Sequence, residues 1–320
     1  METNIIQPAI LSADDILLRE WPEPEWAIPG ILPIGLSILA GRPKIGKSWL
    51  ALQSAKAVAE GGMTLNVQVK QGSVLYLALE DQPRRLQERM RRQGWTEGLP
   101  VQFVTGGYFR RVFGTLSKGG FSLLSEIIEN GNYRLVIIDT YSRAFAGDQD
   151  DVNVTTSILS PLQEMAIGKN FAVLMTDHHH KYTSDIQDII EDILGSVGKG
   201  GVADTILGLY RERGKLGARL KMTGRDIEDK SIDLKMDWPS GTWLLDGSKD
   251  NLTPEQQRTF VALKALNEAT PDELGEYLAR NRGSVYKDLA ALESRALVAK
   301  KDDGKWVVMG SLATMQPMQP

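Results

Sequence analysis

Apolar residues in this chain come in short, uninterrupted runs separated by amphipathic stretches. Gly35-Leu36-Ser37-Ile38-Leu39-Ala40, Val74 to Leu79, Leu135 to Ile138 and Phe171 to Met175 are four such runs. Runs that do not alternate with polar residues suit strands buried on both faces, as in parallel sheets. Between them, Trp49 to Ala59, Pro83 to Gln93, Phe121 to Asn130 and Thr155 to Gly168 read as helices; Leu123, Leu124, Ile127 and Ile128 share one face of the third. Val101 to Val104 reads as a short strand and Gly106 to Gly120 as a Gly-punctuated loop. Strands alternating with helices predict an α/β fold with a mainly parallel central sheet. Val202 to Tyr210 and Leu216 to Met222 extend it, and Ile232 to Met236 and Thr242 to Leu245 flank a hairpin signal at Pro239-Ser240-Gly241.

The pattern divides the chain into an N-terminal strap (1–34), a core (35–246), a small C-terminal domain (252–310) and a disordered tail (311–320). Prolines 22, 24, 29 and 33 forbid a long helix through the second half of the strap. In the C-terminal domain, Thr253-Pro254-Glu255 and Thr270-Pro271-Asp272-Glu273 each read as a helix start. A third helix runs from Ser284, and a hairpin turns at Asp303-Gly304. Three helices and a hairpin predict a winged helix-turn-helix. Basic and acidic residues balance there, nine of each, yet Arg280, Arg282, Ser284 and Lys287 cluster at the start of the presumed recognition helix and are candidates for DNA contact. Protein contact is the other use of such a domain.

Composition narrows the chemistry. Of 320 residues, 24% are charged and 42% hydrophobic, the profile of a globular protein. Net charge is −4, so any nucleic-acid contact must come from local patches. There is no cysteine, which removes disulfides, thiolate zinc sites and thiol catalysis. No apolar stretch is long enough to span a bilayer and no signal peptide is visible, so a cytoplasmic protein without membrane contact is the expectation.

The first apolar run ends in Gly41-Arg42-Pro43-Lys44-Ile45-Gly46-Lys47-Ser48, a complete G-x-x-x-x-G-K-[ST] loop between strand and helix. Backbone N–H groups and the positive helix end surround a triphosphate in such a loop. Residues 41–48 with Trp49 are the candidate nucleotide cradle, Lys47 reaching the β- and γ-phosphates and Ser48 binding Mg²⁺. Leu135-Val136-Ile137-Ile138-Asp139 has the form of a Walker B strand, making Asp139 the second Mg²⁺ residue. ATP and Mg²⁺ are the expected cofactors. Leu79-Glu80-Asp81 ends another run; carboxyl ends of parallel strands face the ligand crevice, so Glu80 is read as the base that polarises the attacking water and Asp81 as the cap of the next helix. All three histidines lie in Asp177-His178-His179-His180-Lys181. Adjacent residues cannot all face one ion, and a γ-phosphate sensor suits the strand end better. Gly195 to Gly201 reads either as a flexible surface turn or as a loop whose N–H groups and Lys199, with Lys181 nearby, meet a nucleic-acid backbone.

Together the loop at 41–48, Leu79-Glu80-Asp81, Ile138-Asp139-Thr140, the Asp177 to Lys181 run, Gly195-Ser196 and Gly224-Arg225-Asp226 resemble the RepA-like branch of the RecA-type ATPases, the AAA_25 group that includes hexameric replicative helicases of plasmids. The resemblance covers roughly residues 25–235. It implies a RecA-like core, a ring of subunits, six by expectation, with ATP at each interface, and single-stranded DNA in the ring. It also implies Glu80 as catalytic glutamate, His178 (or His179) as sensor, and Arg225 with Lys221 as trans-acting positive charge. Lys44 departs from the pattern, standing where many members have glycine. A DNA-associated motor is the leading expectation. An ATP-switched DNA-binding regulator and a recombination-type ATPase forming filaments are the alternatives.

Overall fold

The computed structural model describes residues 11–20, 23–145, 152–178, 197–212, 214, 216–246, 252–293, 297–301 and 303–308. Nine strands form one sheet: β1 (Gly35–Gly41), β2 (Ser73–Ala78), β3 (Val101–Thr105), β4 (Tyr133–Asp139), β5 (Ala172–His178), β6 (Thr205–Tyr210), β7 (Gly217–Gly224), β8 (Lys230–Asp237) and β9 (Thr242–Leu245). Their spatial order is β9-β8-β7-β6-β1-β5-β4-β2-β3. From β6 to β3 the pairs are parallel; β7, β8 and β9 add antiparallel strands on the other side.

The apolar runs are central strands because both of their faces are covered. Leu36, Ile38 and Ala40 of β1 face the same apolar cluster as Val136, Ile138, Val173 and Met175, while Leu39, Leu135, Ile137 and Leu174 face the opposite one. Helix α1 (Lys47–Glu60) packs in the second of these layers with Leu50, Ala51, Leu52, Ala55 and Val58. Helices α4 (Gly120–Asn130) and α5 (Val152–Gly168) cover the first with Leu124, Ile128, Leu159, Leu162 and Ala166. This is the three-layer arrangement that a two-sided parallel sheet requires.

Two segments read as loops are helical. Gly106–Val112 forms α3, turning Phe109 inward to stack on Phe113 at 5.0 Å, and Leu116–Lys118 forms a 3₁₀ turn. The burial of Phe109 and Phe113 outweighs the weak helix propensity of Gly106-Gly107. Val197–Val202 forms α6. Helix α2 (Pro83–Arg92) begins at Pro83, with Gln82 as its N-cap.

Residues 252–308 contain α7 (Pro254–Leu266), α8 (Pro271–Leu278) and α9 (Arg282–Glu293) around an apolar cluster of their own that includes Phe260, Leu263, Leu274, Val285, Leu289 and Trp306. Thr253 and Thr270 each close a capping box with the residue three positions on. Val298–Lys300 and Trp306–Val308 pair antiparallel, and Glu268–Ala269 adds a third strand beside the latter. Among the described residues, no helix is long and apolar enough to cross a membrane.

Asp204, just before β6, pins this strand to β1. Its carboxylate accepts the Leu36 N–H at 2.8 Å and the Gln163 amide at 2.6 Å, and it is 6% exposed. Gly35 leaves room for it: φ is +102° and a Cβ there would run into the carboxylate. Asp204→Ala strands a buried N–H, so we expect it to lower unfolding stability by about 1–3 kcal/mol. Urea unfolding should show a lower midpoint with an unchanged slope.

Candidate active site at the carboxyl edge of the sheet

Parallel register gathers the candidate residues at one edge. Gly41 of β1 lies opposite His178 of β5, and Asp139 of β4 opposite Ala78 of β2, two residues before Glu80. A cleft of about 450 Å³ opens there, lined by the loop residues Lys44, Gly46, Lys47 and Ser48, by Trp49, and by Glu80, Asp81, Asp139, Thr176 and His178. Arg42, Pro43 and Lys44 are exposed on the loop, whereas Ile45 is buried. Lys44 has φ +66°, a left-handed conformation that glycine adopts more readily than lysine.

Lys47 is the electrostatic centre. Its ammonium is 7% exposed as a residue and donates to the carbonyls of Gly41 at 2.7 Å and Arg42 at 3.1 Å. Burial pushes its pKa down to about 8, against the pull of Asp139, Asp177 and Glu80. Its Nζ lies 3.4 Å from Nδ1 of His178. Burial, then the Lys47 charge, lowers the His178 pKa, which favours a neutral ring. With Nδ1 turned to an ammonium, the ring proton belongs on Nε2, which then serves as a donor.

Asp139 is 5% exposed and firmly oriented. Tyr76 donates to Oδ2 at 3.0 Å and Thr176 to Oδ1 at 2.6 Å. Burial, then the Asp139 charge, raises the Tyr76 phenol well above its ordinary range, so it remains a donor. Tyr76 and Thr176 sit in apolar runs where they look like core, so nothing local in the sequence marks either as a partner of Asp139. Glu80 is exposed at the cleft, with Arg143 3.8 Å away.

The fit to a polyphosphate rests on this chain's own atoms. Gly46 is the N-cap of helix α1 and supplies no side-chain cap, leaving the first N–H groups open to an anion. Lys47 is a buried cation satisfied mainly by carbonyls, and Ser48 and the oriented Asp139 supply hard oxygen donors of the kind Mg²⁺ takes. Trp49 turns its ring to the guanidinium groups of Arg89 and Arg92, 5.2 and 4.7 Å from the ring centroid.

Other candidates lie elsewhere. Asp81 does not cap α2; its carboxylate pairs with Arg85 and Arg89, and burial raises its pKa despite them. Lys199, expected to meet a nucleic-acid backbone, is instead turned inward: it is 5% exposed, donates to Asp177 at 2.8 Å and lies 4.2 Å from the centre of the Tyr141 ring. α6 packs against α5, and the Lys199–Asp177 pair ties it to the end of β5. Lys181 and His179 lie outside the described residues. Lys221 sits within β7 with its ammonium 5.3 Å from the Tyr210 ring centre. Arg225 pairs with Asp204 at 3.3 Å and donates to the Gly201 carbonyl at 3.0 Å, while staying largely exposed. Arg280 is tied to Asp288 at 2.7 Å and to Thr259, bracing α7 against α9, whereas Arg282, Ser284 and Lys287 are exposed on α9.

A family model of the AAA_25 group, described as an AAA domain, matches residues 5–184. The chain belongs to the AAA_25 family. Among solved structures it resembles the KaiC-like protein PH0186 of the hyperthermophilic archaeon Pyrococcus horikoshii OT3, at 15% identity and a TM-score of 0.50 over 69% of this chain and 99% of that one. It also resembles the RadB recombinase, at 17% identity and a TM-score of 0.47 over 67% of this chain and 92% of that one. No curated protein matches the sequence. The architecture is therefore an α/β fold with a mainly parallel central sheet, shared with the KaiC-like protein.

Lys47 would make the binding of a polyphosphate proton-linked. A polyphosphate favours the ammonium and raises its pKa from about 8. Binding at about pH 9 should therefore take up a proton, and binding at about pH 7 should take up none at this group, so affinity falls as pH rises through the unliganded pKa. Calorimetry in buffers of different ionisation enthalpy measures the uptake, which Lys47→Met should abolish.

Proposed function

We propose that this AAA_25 protein is an ATP-hydrolysing, DNA-associated oligomer of the replicative-helicase type. The observation that carries the reading is the convergence of Lys47, Ser48, Asp139, Glu80 and His178 on one cleft at the carboxyl ends of β1, β4, β2 and β5. Lys47 and the N–H groups at the start of α1 bind the phosphates. Ser48 and Asp139 hold Mg²⁺, which when bound supplies Lewis-acid stabilisation of charge on the phosphoryl oxygens. Glu80, exposed at the cleft, orients and polarises the attacking water. His178, neutral with Nε2 as donor, reads the γ-phosphate and changes partner when it leaves.

The remaining parts are arranged for assembly and DNA. Arg225, with Lys221, serves a neighbouring subunit's phosphate in trans. Residues 252–308 act as a winged-helix domain, with Arg282, Ser284 and Lys287 of α9 toward duplex DNA. The cleft chemistry suits a closed ring on single-stranded DNA and a recombination-type filament alike. Particle shape separates them, because a closed ring and an open helical assembly differ at low resolution.

The test is steady-state ATPase with and without single-stranded DNA. Wild type should hydrolyse ATP with Mg²⁺ and be stimulated by DNA, and Lys47→Ala should lose activity by about a hundredfold or more, the scale on which single catalytic donors act. Absence of ATP hydrolysis under all conditions would overturn the enzymatic reading. Hydrolysis indifferent to DNA would leave an ATP-switched regulator instead of a motor.

A further inference from the structure

The phosphate loop is held from behind by residues far away in sequence. Trp243 of β9 is fully buried, and its Nε1 donates to the Gly46 carbonyl at 3.1 Å. That oxygen also accepts the Leu50 N–H one turn along α1 at 3.1 Å. Arg211, at the end of β6, donates from Nη1 to the Ile45 carbonyl at 3.2 Å. Its guanidinium lies 4.9 Å from the centre of the Trp238 ring and 6.0 Å from that of Trp243. Neither Arg211 nor Trp243 lines the cleft that holds Lys47 and Ser48. Both donors approach the loop from outside it.

The contact is closely built. Gly46 has φ +112°, and a Cβ there would stand 2.7 Å from the Trp243 ring. Gln53 of α1 exchanges two hydrogen bonds with the Trp243 backbone, accepting at 2.8 Å and donating at 2.9 Å. The β8–β9 turn is fastened in the same way to α2, the helix that follows Glu80. Arg92 donates to the carbonyls of Trp238 and Pro239, and the Gln93 amide to that of Gly241 at 2.9 Å. β9 therefore presents its indole from a fixed position.

A trans peptide is planar, and its C=O and N–H point in opposite directions. An oxygen of Ile45 held outward by Arg211 leaves the N–H of Gly46 facing the opposite side. An oxygen of Gly46 held by Trp243 and Leu50 does the same for the N–H of Lys47. These are the N–H groups that open α1, where an anion is favoured.

We propose that Arg211 and Trp243 are positioning residues for the phosphate loop, holding the Ile45 and Gly46 carbonyls outward so that the N–H groups of Gly46 and Lys47 meet a bound polyphosphate. This rests on the reading of the cleft as a triphosphate site. The role is electrostatic pre-organisation: without Arg211 the Ile45 peptide loses its outer donor, and without Trp243 the Gly46 carbonyl keeps only the helix bond from Leu50, so both are less firmly set before binding.

The experiment uses the full chain and two probes, ATP and inorganic tripolyphosphate, titrated into wild type, Trp243→Phe, Arg211→Met and Arg211→Lys. Phe keeps the buried ring but has no donor; Lys keeps a donor that Met lacks. Trp243→Phe and Arg211→Met should each weaken both probes by the same factor, about three- to tenfold for one lost hydrogen bond. KM for ATP should rise with kcat within about twofold, since loop N–H groups bind ground and transition states alike. Arg211→Lys should recover part of the loss. A merely structural role would lower the melting temperature of the unliganded protein and leave the affinity of the folded fraction unchanged, and that result would overturn the proposal. Should Trp243→Phe fail to fold, the partly exposed Arg211 decides: wild-type tripolyphosphate affinity in Arg211→Met overturns it. Wild type binding neither probe would instead bring down the triphosphate reading itself, whereas normal wild-type binding with unaltered variants removes only the positioning role.

Discussion

A cation buried among backbone carbonyls governs the site. Lys47 is solvated by the oxygens of Gly41 and Arg42, within the field of Asp139, Asp177 and Glu80, at the point where α1 begins. Burial alone would favour a neutral amine, and the carboxylates are what keep its pKa as high as about 8. A polyphosphate arriving here meets a positive charge held by dipoles that it can outcompete. Burial and then this charge lower the His178 pKa, and Tyr76 and Thr176 fix the Asp139 carboxylate that faces it.

The arrangement depends on parallel pairing. Side-by-side strands running the same way end at the same level, so a one-rung slip of β5 against β1 would move His178 away from Gly41 and turn its side chain to the opposite face. Register is secured by polar side chains at both ends of the strands. Asp204 binds the Leu36 N–H at the amino end of β1, and Thr140 donates to the Thr176 carbonyl across β4 and β5. The hydrophobic layers on both faces make the sheet stable, but these polar ties decide which residues come level at its edge.

Much of this was legible in the sequence. Non-alternating apolar runs separated by helix-length segments pointed to the two-sided sheet, and the Gly/Lys loop with carboxylate-ending runs pointed to the edge where the cleft opens, since backbone requirements and charge leave local marks. What was not legible depends on distant partners. Nothing near Lys199 announces Asp177 and Tyr141, and nothing in Gly106-Gly107 announces the Phe109–Phe113 stack. Asp81 looked like a cap because it precedes Pro83, yet Arg89, two helical turns on, claims its carboxylate. Tyr76 and Thr176 were hidden inside hydrophobic patterns that they genuinely obey.

Sheet register also constrains what Arg225 can do. Gly224 pairs with Thr205, which pairs with Ser37 of β1, four residues before Gly41. At about 3.3 Å per residue that puts Arg225 some 13 Å below the phosphate loop, at the amino end of the sheet. Its guanidinium, bound to Asp204 and Gly201, faces that end. An arginine that acts on a phosphate from there acts on the phosphate of another copy, and the Asp204 pair that anchors β6 to β1 then also sets its aim. Stability of the central sheet and contact between subunits would share one carboxylate, so weakening the first would loosen the second.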